Sequence, residues 1–259
     1  MKQNRMFDDI IEDVDKIDPR KLRPVNHVVF VLDHSGSMHN ISKQSMDNFN
    51  EQLQTLKKES HDQETLVTLT KFSDKVDIVY SDKHIDDVKE LTEYEADGMT
   101  ALYDAIALSI NNIREKVIKE ENHSALMIII TDGYENRSSD YKGEDGRKKI
   151  KSMIEEFEGN GNWTFVFLGA NIDVEEVATT GMSFSAANTV CFASCDTGVK
   201  DVGVTTTSGI GSYYTMRRSG GQATNDFFSD PIKESTDAKD VIQTVISCSN
   251  EEEEDGSET

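Results

Sequence analysis

The stretch Val28 to Asn40, VVFVLDHSGSMHN, limits what this chain can fold into more than any other. Its five leading apolar residues, Val28 to Leu32, have the length and β-branching of a strand buried on both faces. The run stops at Asp33, and Ser35 and Ser37 follow at alternate positions. An acid and two hydroxyls so spaced can turn toward one point from a loop leaving the strand end. Oxygen donors of this kind suit a hard cation, Mg²⁺ or Mn²⁺, and suit zinc or copper poorly. Alone, D-x-S-x-S is a pattern that loops produce by chance. Two later stretches give it weight: Gly98-Met99-Thr100 runs into an amphipathic helix, and Leu126 to Gly133 (LMIIITDG) is a second buried strand ending in Asp132. In an open α/β sheet the loops at the carboxyl ends of the strands converge on one site. Asp33, Ser35, Ser37, Thr100 and Asp132 are therefore candidate metal ligands.

The set DHSGS, GMT and TDG, in that order, resembles the metal-ion-dependent adhesion site of von Willebrand factor A domains. The resemblance runs from Asn26 to about residue 220. It implies a central sheet flanked by helices and a bound Mg²⁺ or Mn²⁺. It also implies that the three hydroxyls bind the metal directly while the acids act largely through water, which leaves the metal electrophilic enough to accept an Asp or Glu side chain from a protein partner. The chain is more similar to compact intracellular bacterial or phage-type members, which partner AAA+ ATPases or serve stress and tellurite-resistance systems, than to secreted adhesins.

Taken in order, Ile41 to Lys58 places apolar residues on one helical face. Thr65 to Phe72 and Lys75 to Tyr80 read as strands split by a turn short enough to make an antiparallel hairpin. Ile85 to Leu91 is a weak helix or loop. Thr100 to Val117 is the clearest helix, with Leu102, Ile106, Ile110, Ile113 and Val117 along one stripe. Thr100 has the chemistry of an N-cap as well as of a ligand. Asp104, one turn on, is open to two roles: supporting the site by a hydrogen bond, or favouring the helix dipole. Glu135 and Asn136 are placed to line the rim. Strands at Ala125 to Thr131, Trp163 to Leu168 and Thr189 to Ala193, with helices at Arg147 to Phe157 and Val174 to Thr180, complete the alternation. The fold class is α/β, a doubly wound, mainly parallel sheet with one antiparallel edge strand and helices on both faces. The resemblance implies a last helix over Val199 to Arg218, against which GVTTTSGIGS argues by its glycines and threonines. The expected organisation is an N-terminal arm (1–24), the von Willebrand factor A-like domain (25–220), an extension (221–250) and a disordered acidic tail (251–259).

With 49 acidic against 27 basic residues, a net charge of −22 and a pI near 4.6, the chain is ill suited to nucleic acid or to anionic membranes. Cys191, Cys195 and Cys248 are odd in number and lack C-x-x-C spacing, and the first residues carry no signal-type apolar stretch. A cytoplasmic setting is expected.

The expected function is divalent-cation-dependent protein binding without catalysis. Two other classes stay open: a Mg²⁺-dependent phosphatase-like hydrolase, and a structural subunit of a larger phage or bacterial assembly. Against the first, no G-x-x-x-x-G-K-[ST] loop and no G-x-S-x-G elbow is present. His34, alternating with Asp33 and Ser35, is expected to turn away from the metal side as a surface residue.

Overall fold

The computed structural model describes residues 23–119, 121–193 and 196–228. Most of the N-terminal arm, the extension from residue 229, the acidic tail, Cys195 and Cys248 lie outside the described residues. Six strands form one sheet in the order β3-β2-β1-β4-β5-β6. They are β1 (Val25–Asp33), β2 (Glu64–Phe72), β3 (Val76–His84), β4 (His123–Thr131), β5 (Trp163–Ala170) and β6 (Thr189–Phe192). Only the β2–β3 pair is antiparallel; the hairpin read from the sequence is present, with β3 four residues longer than expected at its far end.

Every residue of β1 is buried, as a nearly unbroken apolar strand at the centre of a parallel sheet must be. It pairs without slippage to β2 from Val25↔Glu64 to Asp33↔Phe72, and to β4 from Val25↔His123 to Leu32↔Ile130. Successive side chains point to opposite faces. Val28, Phe30 and Leu32 join the core under α1 (Ser42–Glu59) and α4 (Asp196–Arg218), while Val29 and Val31 join the core under α2 (Leu102–Lys119) and α3 (Gly143–Gly159). Strands β1, β2 and β4 end on the same edge, and the loops carrying Ser35, Ser37 and Asp132 leave from there. Among the described residues, no helix is long and apolar enough to cross a membrane.

Helix α4 resolves the conflict over GVTTTSGIGS in favour of a helix of 23 residues. Its poor formers are used for close packing. Gly203 lies against Asn48 of α1, where an added Cβ would stand 2.5 Å from Asn48 Oδ1, and Asn48 Nδ2 donates to the Val199 carbonyl at 2.5 Å. The hydroxyls of Thr205, Thr206 and Thr215 bond back to the carbonyls of Asp201, Val202 and Gly211, four residues earlier in the helix. Tertiary contact overrides propensity here.

Between β3 and α2, residues 85–101 form a strap. A 3-10 turn at Ile85–Asp87 opens it, and no regular structure follows until Leu102. Asn50 on α1 holds the strap by bonding both the N–H and the carbonyl of Leu91, at 2.8 and 3.0 Å.

Two outcomes are expected from denaturant titration. Gly203→Ala loses about 1–3 kcal/mol, because Asn48 must rotate and give up its buried bond to the Val199 carbonyl. Gly211→Ala, with nothing within 4 Å of the added Cβ, gains up to about 1 kcal/mol. A third outcome concerns pH. Burial pushes the Glu158 carboxyl up to about 7, and its buried Oε1 has no hydrogen-bond partner. Since the folded chain holds this proton more tightly than the unfolded one, stability declines as pH rises from about 4 to about 7. Glu158→Gln flattens that slope.

Candidate metal centre

Asp33 ends β1 fully buried. Its Oδ1 accepts from the Ser35 N–H at 2.7 Å and its Oδ2 from the Thr131 hydroxyl of β4 at 2.5 Å. The first bond folds the chain back at the strand end, so that Ser35 and Ser37 leave in the right direction. Ser35 Oγ then lies 3.1 Å from Ser37 Oγ, and the Ser37 hydroxyl donates to Asp132 Oδ1 at 2.6 Å. Four of the five residues singled out in the sequence are thus linked in one chain of contacts spanning two strand ends.

Thr100 is held beside the Asp132–Gly133 loop by a separate set of contacts. Its N–H donates to Asn136 Oδ1 at 2.8 Å, and its carbonyl accepts from the N–H groups of Asn136 and Arg137. Its side chain lies against Gly133, where a Cβ would come within 2.8 Å of Thr100 Oγ1. Glycine after Asp132 is therefore required for the hydroxyl to approach the Asp132 loop. Helix α2 begins at Leu102, so the capping position falls on Ala101 and Thr100 lies before it.

The remaining acids of this region have structural work. Asp104 lies in the first turn of α2, and of the two roles considered for it the contacts show the hydrogen-bonding one: its carboxylate accepts from the N–H groups of Ser139 and Tyr141 at 2.7 and 2.8 Å, anchoring the loop after β4. Glu135 accepts from the N–H groups of Tyr103, Arg137 and Ser138. Asn136 clasps Thr100 as described. All three tie the Thr100 and Asp132 loops together.

His34 departs from the expectation of a surface residue. It is buried, stacked on Tyr94 with ring centroids 3.9 Å apart, and its Nδ1 donates to the Glu95 carbonyl at 2.7 Å. Burial pushes its imidazole down to about 4. Tyr94 also donates from its hydroxyl to the Asp33 carbonyl. No periodicity or motif flags Tyr94, and the strap that carries it has no local pattern. Thr131 was legible only as the last residue of a strand.

Electrostatically the site is short of positive charge. Burial pushes the Asp33 carboxyl up to about 6 against the bonds from Thr131 and Ser35, with neighbouring Asp132 adding to the rise. Burial also raises Asp132, against the bond from Ser37. No lysine or arginine is among the groups acting on either acid. Two carboxyls crowded in this way favour a cation between them. The oxygen spacings fit one as well: ligands at about 2.1 Å from Mg²⁺ in an octahedron stand about 3.0 Å apart. Among the described residues no group of three or more His, Cys, Asp or Glu side chains is arranged to hold a metal, so hydroxyls must complete any donor set here. Asp33, Ser35, Ser37, Thr100 and Asp132 are the residues able to supply it.

Gly133→Ala tests the packing at this edge. The added methyl displaces Thr100, and uptake of Mg²⁺, followed as a thermal-stability gain on titration, is expected to weaken at least tenfold (about 1.4 kcal/mol). Unchanged uptake would remove Thr100 from the site.

Comparison with known proteins follows the same lines. The chain resembles a von Willebrand factor type A protein from Catenulispora acidiphila (15% identity, TM-score 0.52, covering 73% of this chain and 43% of that one). It also resembles the pilus adhesin SpaC from Lactobacillus rhamnosus GG (13%, 0.58, 74% and 31%) and the PilB minor pilin from Streptococcus sanguinis (12%, 0.50, 74% and 62%). The chain thus spans less than two thirds of each of these structures, and likeness at such identity establishes the fold alone. No curated protein matches the sequence. The family model of the von Willebrand factor type A domain matches residues 27–202, most of the chain, and the protein belongs to that family.

Proposed function

We propose that Asp33, Ser35, Ser37, Thr100 and Asp132 form a metal-ion-dependent adhesion site holding Mg²⁺ or Mn²⁺, and that the protein uses it to bind an acidic side chain of a partner protein. The observation that carries this reading is the Ser35–Ser37–Asp132 chain of oxygen contacts at the mouth of the sheet, with Asp33 behind it. A bound divalent cation supplies a Lewis-acidic position that a carboxylate of the partner can occupy.

The chain's own residues do the rest. Ser35, Ser37 and Thr100 offer neutral donors, which do not quench the charge that attracts the partner. Asp33 is held away from the mouth by Thr131 and by the Ser35 N–H, so its carboxylate acts from behind the hydroxyls. Met99 and Tyr134, adjoining Thr100 and Gly133, are 44% and 50% exposed and offer apolar surface beside the site, as a protein contact requires. The reading assigns no catalytic residue. It places the protein in the cytoplasm, on the cysteine pattern, as an adaptor of the kind that serves AAA+ ATPases or stress and tellurite-resistance systems.

The test is a thermal-shift titration with Mg²⁺ and Mn²⁺ on the wild type, Asp33→Asn and Ser37→Ala. The wild type is expected to gain about 2.7 kcal/mol at a hundredfold excess over its dissociation constant, and both variants to gain far less. Binding to carboxylate-bearing peptides is expected to disappear in EDTA and in both variants. Variants that keep the metal-induced gain and the peptide binding would overturn the assignment. Ser37 is exposed, so its variant separates loss of ligation from loss of fold.

A further inference from the structure

The segment from Asp33 to Gly36 is held peptide by peptide. The Asp33–His34 unit is bonded at both ends: its carbonyl accepts from the Tyr94 hydroxyl, and its N–H donates to the Phe72 carbonyl of β2 at 2.6 Å. The next unit accepts from the Asp97 N–H at 2.8 Å and donates from the Ser35 N–H to Asp33 Oδ1 at 2.7 Å. The third accepts from the Met38 N–H and donates from the Gly36 N–H to the Gly98 carbonyl, both at 3.1 Å. A peptide unit is planar, so bonds at both of its ends leave little freedom in the torsions on either side. Together they set where the Ser35 side chain points, and Ser35 Oγ lies 3.1 Å from Ser37 Oγ.

Three of these bonds come from the strap, at Tyr94, Asp97 and Gly98. Asp97 and Gly98 use their backbone, which almost any residue could supply. Tyr94 alone of the three gives a side chain to the task. Its ring packs on the core with Leu91 and Ala96 and stacks on His34, so the hydroxyl is delivered from a fixed base. Thr100 stands six residues further along the same strap. Tyr94 therefore ties the loop of Ser35 and Ser37 to the segment that carries Thr100.

We infer that Tyr94 is a positioning residue of the candidate metal centre, its hydroxyl holding the Asp33–His34 peptide in the orientation that aims the Ser35 and Ser37 hydroxyls at a common cation. The inference rests on the metal-site reading and extends it to a residue outside the three motif stretches. Without the hydroxyl, that peptide samples more orientations in the metal-free chain. A cation must then order the loop as it binds, and the entropy lost in doing so is subtracted from its affinity. With the hydroxyl in place, the loop is ordered before the cation arrives.

The experiment is calorimetric titration of Mn²⁺ into the full chain, for the wild type, Tyr94→Phe and Tyr214→Phe. Tyr94→Phe keeps the ring and its stacking and removes only the hydroxyl. Tyr214→Phe removes the same group at the opposite end of the sheet, where the Tyr214 hydroxyl is bonded to that of Thr65 at 2.7 Å. Tyr94→Phe is expected to bind Mn²⁺ about threefold to tenfold more weakly than the wild type, the range that a single hydrogen bond is worth. Tyr214→Phe is expected to lower the melting temperature and to keep wild-type affinity, as a residue that only stabilises the fold must. Wild-type affinity in Tyr94→Phe, or an equal loss in Tyr214→Phe, overturns the inference alone. A wild type that takes up no Mn²⁺ overturns the metal-site reading and this inference with it.

Discussion

The structure turns on the burial of one carboxyl group. Asp33 sits at the carboxyl end of the central strand with its side chain withdrawn from water, and its two oxygens are held by different neighbours: the Ser35 amide of its own loop and the Thr131 hydroxyl of β4. A buried acid is costly unless its oxygens are satisfied. Here the satisfaction is what gives the edge its shape. One bond turns the Ser35–Ser37 loop outward, and the other fixes the end of β1 against the end of β4, from which Asp132 departs.

The other side of the site is held by clasps between loops rather than by the sheet. Asn136 grips the Thr100 backbone, Glu135 reaches the start of α2, and Asp104 reaches back from α2 to the loop after β4. Together with the Asn50 hold on Leu91, these bonds give a strap without regular structure a defined path from α1 to the candidate metal centre. A loop ordered in this way spends little further conformational entropy on binding, which favours affinity.

Much of this was legible in the amino-acid order. Strands β1, β4 and β5 are continuous apolar runs of strand length, and α2 carries an unbroken stripe, so both the sheet and the site-forming ends follow from local pattern. The five oxygen-bearing residues were legible because each stands where a strand stops or a helix starts. Helix α4 was ambiguous because Gly203 and Gly209 answer to Asn48 and Phe227, residues outside the helix, and not to helix propensity. His34 was misplaced for a related reason. Alternation along an extended chain places its side chain outward, but Tyr94, sixty residues on, covers it. The structural duties of Asp104, Glu135 and Asn136 were hidden because their partners are backbone amides, which leave no trace in residue type.

The unslipped pairing of β1 with β2 and β4 has a consequence beyond stability. Side chains alternate along a strand, so a shift of one residue would exchange Asp33 for Leu32 at the buried end of the strand and send the core residues to the wrong faces. The constellation of oxygens therefore exists in a single register of the central strand. A chain that has mispaired this strand lacks that constellation, so the arrangement of oxygens is itself a report on the register of the sheet.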